Sequence, residues 1–244
     1  MVFLTVVVDR LTFDESVSAC TELVESGQFA QHVVINAGKC VQAADDPRLA
    51  RIINEAALVN ADGQSVVWAT RYLGTPVPER VTGIDLMFAL LKRAEDRAWK
   101  VYFLGAKPAV LDAALERLRE LYPSLHIAGS RDGYFDDADA VARSIRDSGA
   151  RVLFIAMPSP MKEYFVEEQA QTLGPLLAFG VGGSLDVVAG RTRRAPGWMQ
   201  RAGLEWLYRL VQEPRRMWKR YAVGNTRFVR LVLAARREQR GRQT

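Results

Sequence analysis

Asp62 has the sequence context of a catalytic carboxylate, because it follows the apolar run 57–61 and precedes Gly63. If that run is a buried strand, the glycine lets the backbone turn sharply and leaves the carboxylate facing the end of the strand. A carboxylate in this place can act as a general base toward a hydroxyl group. Aspartate is also a favoured N-cap, and a helix is predicted to follow over 64–73. Both roles are open for Asp62 on the local sequence alone.

Further apolar runs end in small or polar residues, which is typical of strands that lead into a binding cleft. The loops that follow these runs are 36–38, 104–106, 157–160 and 180–184. Ligands of parallel sheets bind beyond the carboxyl ends of the strands, where such loops meet. We therefore expect these four loops and Asp62 to line one cleft.

Two short motifs suggest phosphate or metal binding. The glycines of 180–183 would let backbone N–H groups approach a phosphate at a helix N-terminus. Leu185 replaces the third glycine of a dinucleotide-binding motif, and the sequence has no P-loop motif. Asp137 and Asp139 have the spacing of a metal-chelating pair, but they open a predicted helix, so capping explains them better. We expect no metal site and no cofactor.

The elements that must position these residues alternate along the chain. Short apolar runs at 32–36, 57–61, 100–104, 151–156 and 175–179 have the character of strands buried on both faces. Segments of helical period lie between them, at 108–121, 138–147 and 160–173. Alternating strands and helices predict βαβ units. We expect residues 1–195 to form a Rossmann-like α/β domain, a mostly parallel sheet with flanking helices.

The C-terminal part of the chain differs in charge. The whole sequence carries a net charge of +5, but residues 191–244 hold 15 Lys and Arg against three Glu. Tryptophans and leucines recur among these arginines at helical spacing, which is typical of a segment that lies at a membrane surface. The alternative is a helix pair packed on the sheet with a solvated basic face. We expect residues 196–244 to form a basic amphipathic, membrane-associating appendage.

Other features restrict the location of the protein. The longest apolar runs are far shorter than the roughly 18 residues of a membrane span, and the first ten residues lack the features of a signal peptide. We therefore expect a cytoplasmic protein. Cys20 and Cys40 are interpreted as buried reduced thiols, and His32 and His126 as histidines at strand edges.

Short stretches along most of the chain together point to one family. They are 34–37, 60–63, 78–86, 103–105, 157–163, 181–186, 194–196, 203–209 and 213–216. In this order they resemble the WecG/TagA/CpsF (GumM-type) family of glycosyltransferases. Val34 and Lys162 stand where many members have Thr and Gln, so the resemblance does not identify the donor sugar.

The resemblance implies an inverting, metal-independent enzyme. Such an enzyme moves a hexose or N-acetylhexosamine from a UDP-sugar to an undecaprenyl-diphosphate-linked saccharide, in the synthesis of teichoic acid, common antigen or exopolysaccharide. The implied partners are the UDP-sugar donor, the polyprenyl-diphosphate-linked acceptor and the anionic inner face of the cell membrane. Relatives commonly form dimers or larger assemblies, so a homo-oligomer is also expected, and nucleic acid is not.

The resemblance also suggests roles for individual residues. It implies that Asp62 is the base and that Arg80 acts beside it. Substrate binding is expected from residues of the matching stretches and of the basic tail: Asn36, Gly63, Gly83, Asp85, Gly105, Lys162, Glu163, Gly182, Gly183, Asp186, Arg209, Arg215, Arg216 and Arg220. In this interpretation the tail closes over the cleft and neutralises the departing UDP.

Two other classes of protein remain open on the sequence. A Rossmann-type oxidoreductase shares the fold class and would bind NAD(P). A nucleic-acid-binding protein would explain the basic tail, although the sequence has no recognised DNA- or RNA-binding motif and the preceding 190 residues are acidic.

Overall fold

The computed structural model describes the backbone of residues 2–212 and 214–241 and, apart from Val2 and 215–223, their side chains. The strands in this part of the chain are β1 (Val2–Phe3), β2 (Val6–Val7), β3 (Ala30–Ile35), β4 (Leu58–Ala61), β5 (Val101–Gly105), β6 (Ile127–Arg131), β7 (Val152–Ala156) and β8 (Leu177–Gly180). The helices are α1 (Phe13–Glu25), α2 (Ala37–Asp45), α3 (Pro47–Glu55), α4 (Gln64–Tyr72), α5 (Gly83–Asp96), α6 (Pro108–Leu121), α7 (Ala138–Asp147), α8 (Met161–Leu173), α9 (Ser184–Val188), α10 (Gly197–Arg201), α11 (Glu205–Gln212) and α12 (Pro214–Gly241).

Six strands form one parallel sheet in the order β4-β3-β8-β7-β5-β6, and β1 pairs antiparallel with β2. The predicted parallel α/β fold is confirmed. The five predicted strands correspond to β3, β4, β5, β7 and β8, with ends that differ by up to two residues. The strand β6 was not predicted, because this edge strand is only partly buried and has no continuous apolar run.

Helices cover both faces of the sheet, and residues of β3 point to one face or to the other. Ala30 belongs to a core cluster with α1, α5 and α6, whereas Val33 and Ile35 pack with α2, α3 and α4 on the other face. A third cluster joins the sheet to α7 and α8. Burial on both faces explains why these strands are continuously apolar.

The cysteines follow the prediction, and His32 does not. Cys20 and Cys40 are free and buried, and burial raises both thiol pKa values to about 12. His32 is the third residue of β3, an interior strand of the sheet, so its placement at a strand edge was wrong. Its ring stacks on Phe179 at 4.3 Å between centroids, and burial lowers its pKa to about 4. This histidine is therefore a neutral core residue.

The last helix of the C-terminal segment packs on the sheet domain. Phe228 and Val232 of α12 are buried in the core cluster that contains α2 and the β1–β2 hairpin. Arg227 also bonds Asp45 at the end of α2 through both terminal nitrogens. The division of the chain at residue 195 stays a prediction, but part of the proposed appendage completes the core of the preceding residues. Of the helices described, none is long and apolar enough to cross a membrane.

Candidate functional site

Asp62 and Asn36 meet at the carboxyl edge of the sheet. They follow the neighbouring strands β4 and β3, and a Cβ atom at Gly63 would lie only 3.1 Å from the Cα of Asn36. Glycine at this position therefore lets the two loops touch. The Asn36 side chain accepts a hydrogen bond from the Lys39 N–H at 3.1 Å and caps α2.

The other predicted loops lie farther along the same edge. At about 4.8 Å per strand, the end of β8 lies about 10 Å from the end of β4, and the end of β5 lies about 19 Å from it. The loops lie at one edge of the sheet, but Gly105 at the end of β5 does not belong to the immediate surroundings of Asp62. That the loops line one cleft stays a prediction.

The Asp62 carboxylate faces the N-terminus of α5. Its Oδ1 accepts a hydrogen bond from the Gly83 N–H at 3.1 Å, in the first turn of that helix. The N-cap of α4 is Gly63, and no side chain caps that helix. The alternative role of Asp62 as the cap of the following helix is therefore wrong. A helix N-terminus stabilises a carboxylate, so α5 helps to hold Asp62 in place.

Burial raises the pKa of Asp62 above its ordinary value. The hydrogen bond from Gly83 and the positive charges of Arg209 and Arg80 oppose this effect, whereas the charge of Glu205 adds to it. The residue as a whole is half-buried. A carboxylate with a raised pKa at the edge of a sheet has the properties of a general base.

Arg80 and Arg209 meet at the carboxylate of Glu205, the first residue of α11. Arg80 donates a hydrogen bond from Nη1 to Glu205 Oε2 at 3.2 Å, and Arg209 Nη2 lies 3.8 Å from Oε1. Glu205 is buried, with 8% of its surface exposed. This contact lies close enough to Asp62 for the charges of all three residues to act on its carboxyl group. Closure of the basic tail over the cleft stays a prediction.

Asp85 holds a third arginine at the same place. Arg194 donates hydrogen bonds from Nη1 and Nη2 to the two Asp85 oxygens, at 2.5 and 2.6 Å, and Thr82 Oγ1 donates another at 2.5 Å. Burial alone would raise the pKa of Asp85, but these hydrogen bonds lower it. Arg194 Nε lies 3.9 Å from Glu205 Oε1. We call Arg80, Arg194 and Arg209 the arginine cluster.

Thr82, Arg194 and Glu205 were not among the predicted site residues. All three lie within stretches that carried the family resemblance, 78–86, 194–196 and 203–209. That resemblance was the signal that could have identified them. The contacts of Arg194 and Glu205 join residues more than 100 positions apart in the sequence, whereas Thr82 contacts the nearby Asp85.

The turn after β8 contributes to the position of Arg194. Gly182 has a φ of +50°, and Gly183 precedes the short helix α9. The backbone oxygen of Asp186 in α9 accepts hydrogen bonds from the N–H groups of Arg191 and Thr192, at 2.9 and 3.1 Å. Asp186 therefore anchors the backbone that leads to Arg194. Three further predicted residues, Arg215, Arg216 and Arg220, lie outside the residues whose side chains are described.

Lys162 and Glu163 lie apart from Asp62, on the face of the sheet that α8 covers. The Glu163 Oε1 atom is 2.6 Å from Lys39 Nζ and 2.9 Å from Lys162 Nζ, and all three side chains are buried. A Cβ atom at Gly180 would approach Lys162 Cε to 2.8 Å, so glycine makes room for the lysine. The geometry is that of an internal ion cluster between α2, α8 and β8.

The titration of this cluster is strongly perturbed. Burial and the charge of Lys39 lower the pKa of Lys162 to about 8. Burial alone would raise the pKa of Glu163, but the two ammonium groups outweigh it and lower that pKa to about 2. Glu163 therefore stabilises the fold fully above pH 4.5, and this contribution is lost as the pH falls toward about 2.

We expect Glu163→Gln to destabilise the protein by about 3–5 kcal/mol near neutral pH, because it leaves two buried ammonium groups side by side. The difference from wild type should shrink as the pH falls from 4.5 toward about 2, where the wild-type glutamate is protonated as well. Urea unfolding at several pH values measures both effects.

The control is Glu167→Gln, which removes a more exposed partner of Arg48 and Arg51 and should have a much smaller effect. A Glu163 variant as stable as wild type at neutral pH would contradict the structural role of the ion cluster.

The Asp137 and Asp139 pair has a structural explanation. Asp137 is the N-cap of α7 and accepts a hydrogen bond from the Ala140 N–H at 2.8 Å, and Asp139 accepts one from Gln169 Nε2 at 2.6 Å. The capping interpretation of Asp137 is therefore confirmed. In the part of the chain that the structure describes, no group of three or more His, Cys, Asp or Glu residues could hold a metal ion.

Comparison with known proteins identifies the family. A sequence model of the "Glycosyl transferase WecG/TagA/CpsF family" matches residues 1–242. The chain is also similar to the N-acetylglucosaminyldiphosphoundecaprenol N-acetyl-beta-D-mannosaminyltransferase of Bacillus spizizenii (strain ATCC 23059 / NRRL B-14472 / W23). The two are 34% identical over 200 residues, which cover 82% of this chain and 77% of the relative. These matches confirm the resemblance and favour a glycosyltransferase over an oxidoreductase or a nucleic-acid-binding protein. The chain belongs to the WecG/TagA/CpsF family of glycosyltransferases.

Proposed function

We propose that the protein transfers a hexose or N-acetylhexosamine from a UDP-sugar to an undecaprenyl-diphosphate-linked saccharide that ends in N-acetylglucosamine. The name of the Bacillus relative describes an N-acetylmannosaminyl transfer to such an acceptor, which supports this substrate class. The observation that carries the proposal is the half-buried Asp62 at the carboxyl edge of the sheet, held by the Gly83 N–H, with a raised pKa and with the charges of the arginine cluster acting on it.

In this mechanism Asp62 accepts the proton of the acceptor hydroxyl. The oxygen of that hydroxyl attacks the anomeric carbon of the donor, and the bond between this carbon and the phosphate oxygen breaks. UDP leaves with the electron pair, and the arginine cluster stabilises the negative charge that develops on it. A single displacement of this kind inverts the anomeric configuration. Guanidinium groups supply the positive charge, so the reaction needs no metal.

The remaining predicted residues have separate parts in this proposal. The backbone N–H of Gly83 orients the base, and Asn36 and Gly63 border the space around it. The donor extends along the carboxyl edge toward the Gly182–Gly183 turn and Gly105. Lys162 and Glu163 do not touch the reacting atoms in this proposal. Their ion cluster stabilises the packing of α2 and α8 on the sheet.

A donor screen tests the proposed function. The full chain is incubated with a short polyprenyl-diphosphate-linked N-acetylglucosamine acceptor and, in turn, with UDP-glucose, UDP-N-acetylglucosamine, UDP-N-acetylmannosamine and its uronic acid. We expect one donor to give a lipid-linked disaccharide with release of UDP, also in the presence of a chelator. A folded protein that uses none of these donors but binds NAD(P) would contradict the proposal.

We propose that the protein works as a peripheral protein on the anionic cytoplasmic face of the membrane. Aromatic and aliphatic side chains are exposed on α10 and α11, with Trp198 at 60%, Trp206 at 39% and Val211 at 73%. Arg201 and Arg209 lie on the same two helices. Exposed aromatic rings beside arginines favour contact with a lipid surface of negative charge.

We expect the double substitution Trp198→Ala and Trp206→Ala to weaken binding to vesicles that contain anionic phospholipid at least severalfold, because two rings no longer enter the interface. Co-sedimentation with anionic and with neutral vesicles measures the effect. The control is Tyr134→Ala, which removes another exposed ring, 65% exposed, beyond the opposite edge of the sheet. Equal loss of vesicle binding in both proteins would show that the surface of α10 and α11 is not the lipid contact.

A further inference from the structure

The arginine cluster surrounds the Glu205 carboxylate, which does not accept a hydrogen bond from each of the three guanidinium groups. Of the three guanidinium groups around Glu205, only that of Arg80 is within hydrogen-bond distance, at 3.2 Å. Arg209 and Arg194 are at 3.8 and 3.9 Å. The Nε atom of Arg194 is buried and has no hydrogen-bond partner among the residues with described side chains. A larger anion with more oxygen atoms would fill the same space better.

The charges around the cluster already balance. Arg80, Arg194 and Arg209 face three carboxylates, those of Glu205, Asp85 and Asp62. The diphosphate of a nucleotide sugar brings about two more negative charges. If all three carboxylates stayed in place, the diphosphate would add unpaired negative charge to a partly buried site, which is unfavourable.

Glu205 is the one of the three carboxylates that can be exchanged. Asp85 is held by both terminal nitrogens of Arg194 and by Thr82. Asp62 is held by the Gly83 N–H and is needed as the base in the proposed mechanism. Glu205, in contrast, is held within hydrogen-bond distance only by Arg80, among the contacts that the structure describes.

We infer that Glu205 occupies, in the donor-free protein, the anion site that the donor diphosphate takes when it binds, and that Arg194 belongs to that site. This inference rests on the proposed function. Donor binding exchanges one carboxylate for the diphosphate and gives Arg194 Nε and Arg209 an oxygen acceptor. Glu205 therefore acts as an internal competitor that keeps the arginine cluster in place until the donor arrives.

The backbone around Glu205 permits this exchange without release of α11. Gly203 has a φ of +72°, and a Cβ atom there would approach Gln64 of α4 to 2.6 Å. Because glycine allows this close approach, the turn before α11 is packed directly on α4. In this inference the Glu205 side chain rotates away from the cluster while the turn stays packed on α4.

Titration of the full chain with UDP, followed by calorimetry at low salt, tests the inference. We expect Glu205→Gln to bind UDP about tenfold more tightly than wild type, since it removes the competing charge but keeps the shape of the side chain. The control is Asp45→Asn, which removes a carboxylate paired with Arg227 of α12, away from the cluster, and should leave UDP affinity unchanged.

The pH dependence of the reaction gives a second readout. The charge of Glu205 raises the pKa of Asp62, so its removal should move the acidic limb of the kcat/KM profile to lower pH. An unshifted limb would contradict the placement of the Glu205 charge near Asp62 in the donor-free protein, on which the inference depends.

The two proposals fail in different ways. If wild type binds UDP and folded Glu205→Gln binds it no more tightly, the exchange of Glu205 is wrong and the proposed function stands. If neither protein binds UDP, the proposed donor class is wrong as well. Tight UDP binding by Glu205→Gln alone would support both.

Discussion

Asp62→Asn is expected to lower the rate of glycosyl transfer by about 10²–10⁴-fold, the usual contribution of a general base. Asparagine keeps an oxygen that can accept the hydrogen bond from the Gly83 N–H, so the loop after β4 should stay in place. It cannot take a proton from the acceptor hydroxyl. UDP binding should therefore be no weaker than in wild type, because one negative charge near the diphosphate is removed, and turnover and UDP binding are measured on the same preparation.

The control for this substitution is Asp136→Asn, which changes an exposed carboxylate beyond β6 and should leave turnover unchanged. The wild-type profile of kcat/KM against pH should also show an acidic limb above 3.8, the ordinary pKa of aspartate, because burial raises the pKa of Asp62. Full turnover in Asp62→Asn would exclude this residue as the base.

Arg80→Gln is expected to lower kcat/KM about ten- to a hundredfold, the effect of losing one charge-assisted contact in the transition state. The substitution removes positive charge beside the departing diphosphate and leaves Glu205 without its hydrogen bond from Arg80. It also removes a charge that lowers the pKa of Asp62, so the acidic limb of the pH profile should move to higher pH. This shift is opposite in direction to the one expected for Glu205→Gln.

Steady-state kinetics over a range of pH values measures both effects of the Arg80 substitution. A matched control is Arg51→Gln, which removes an exposed arginine paired with Glu55 and Glu167 on another part of the surface. If Arg80→Gln keeps wild-type kcat/KM and an unshifted profile, the arginine cluster does not stabilise the leaving group.

Much of the fold could be predicted because its strands and caps are indicated by short stretches of the sequence. Strands buried on both faces are continuously apolar, and five of the six strands of the main sheet were found from that pattern. The capping role of Asp137 follows from its place before a helical segment. The position of Asp62 at the carboxyl edge follows from the apolar run before it, which forms β4, and from the glycine after it. Each of these features depends on a few neighbouring residues.

Two features could not be predicted from short stretches of sequence: the edge strand β6 and the core contact of the last helix, α12. β6 is partly exposed, so its residues carry no strong pattern. The burial of Phe228 and Val232 depends on a surface formed by α2, about 190 residues earlier in the sequence, and by the hairpin, about 225 residues earlier. Only the packed structure shows that the basic helix α12 also completes a core.

By itself, the sequence determined the parallel α/β fold, the family and the candidate base, because the strand pattern and the motifs can be recognised in short stretches of consecutive residues. Only the tertiary structure shows which charged side chains surround that base. Contacts from Arg80 to Glu205 and from Arg194 to Asp85 join positions 125 and 109 residues apart. The tertiary structure also places Lys162 and Glu163 in an internal ion cluster, on the face of the sheet that α2 and α8 cover. Side chains so distant in sequence meet only when strand order and helix packing fold the chain back on itself, and no local pattern specifies that meeting.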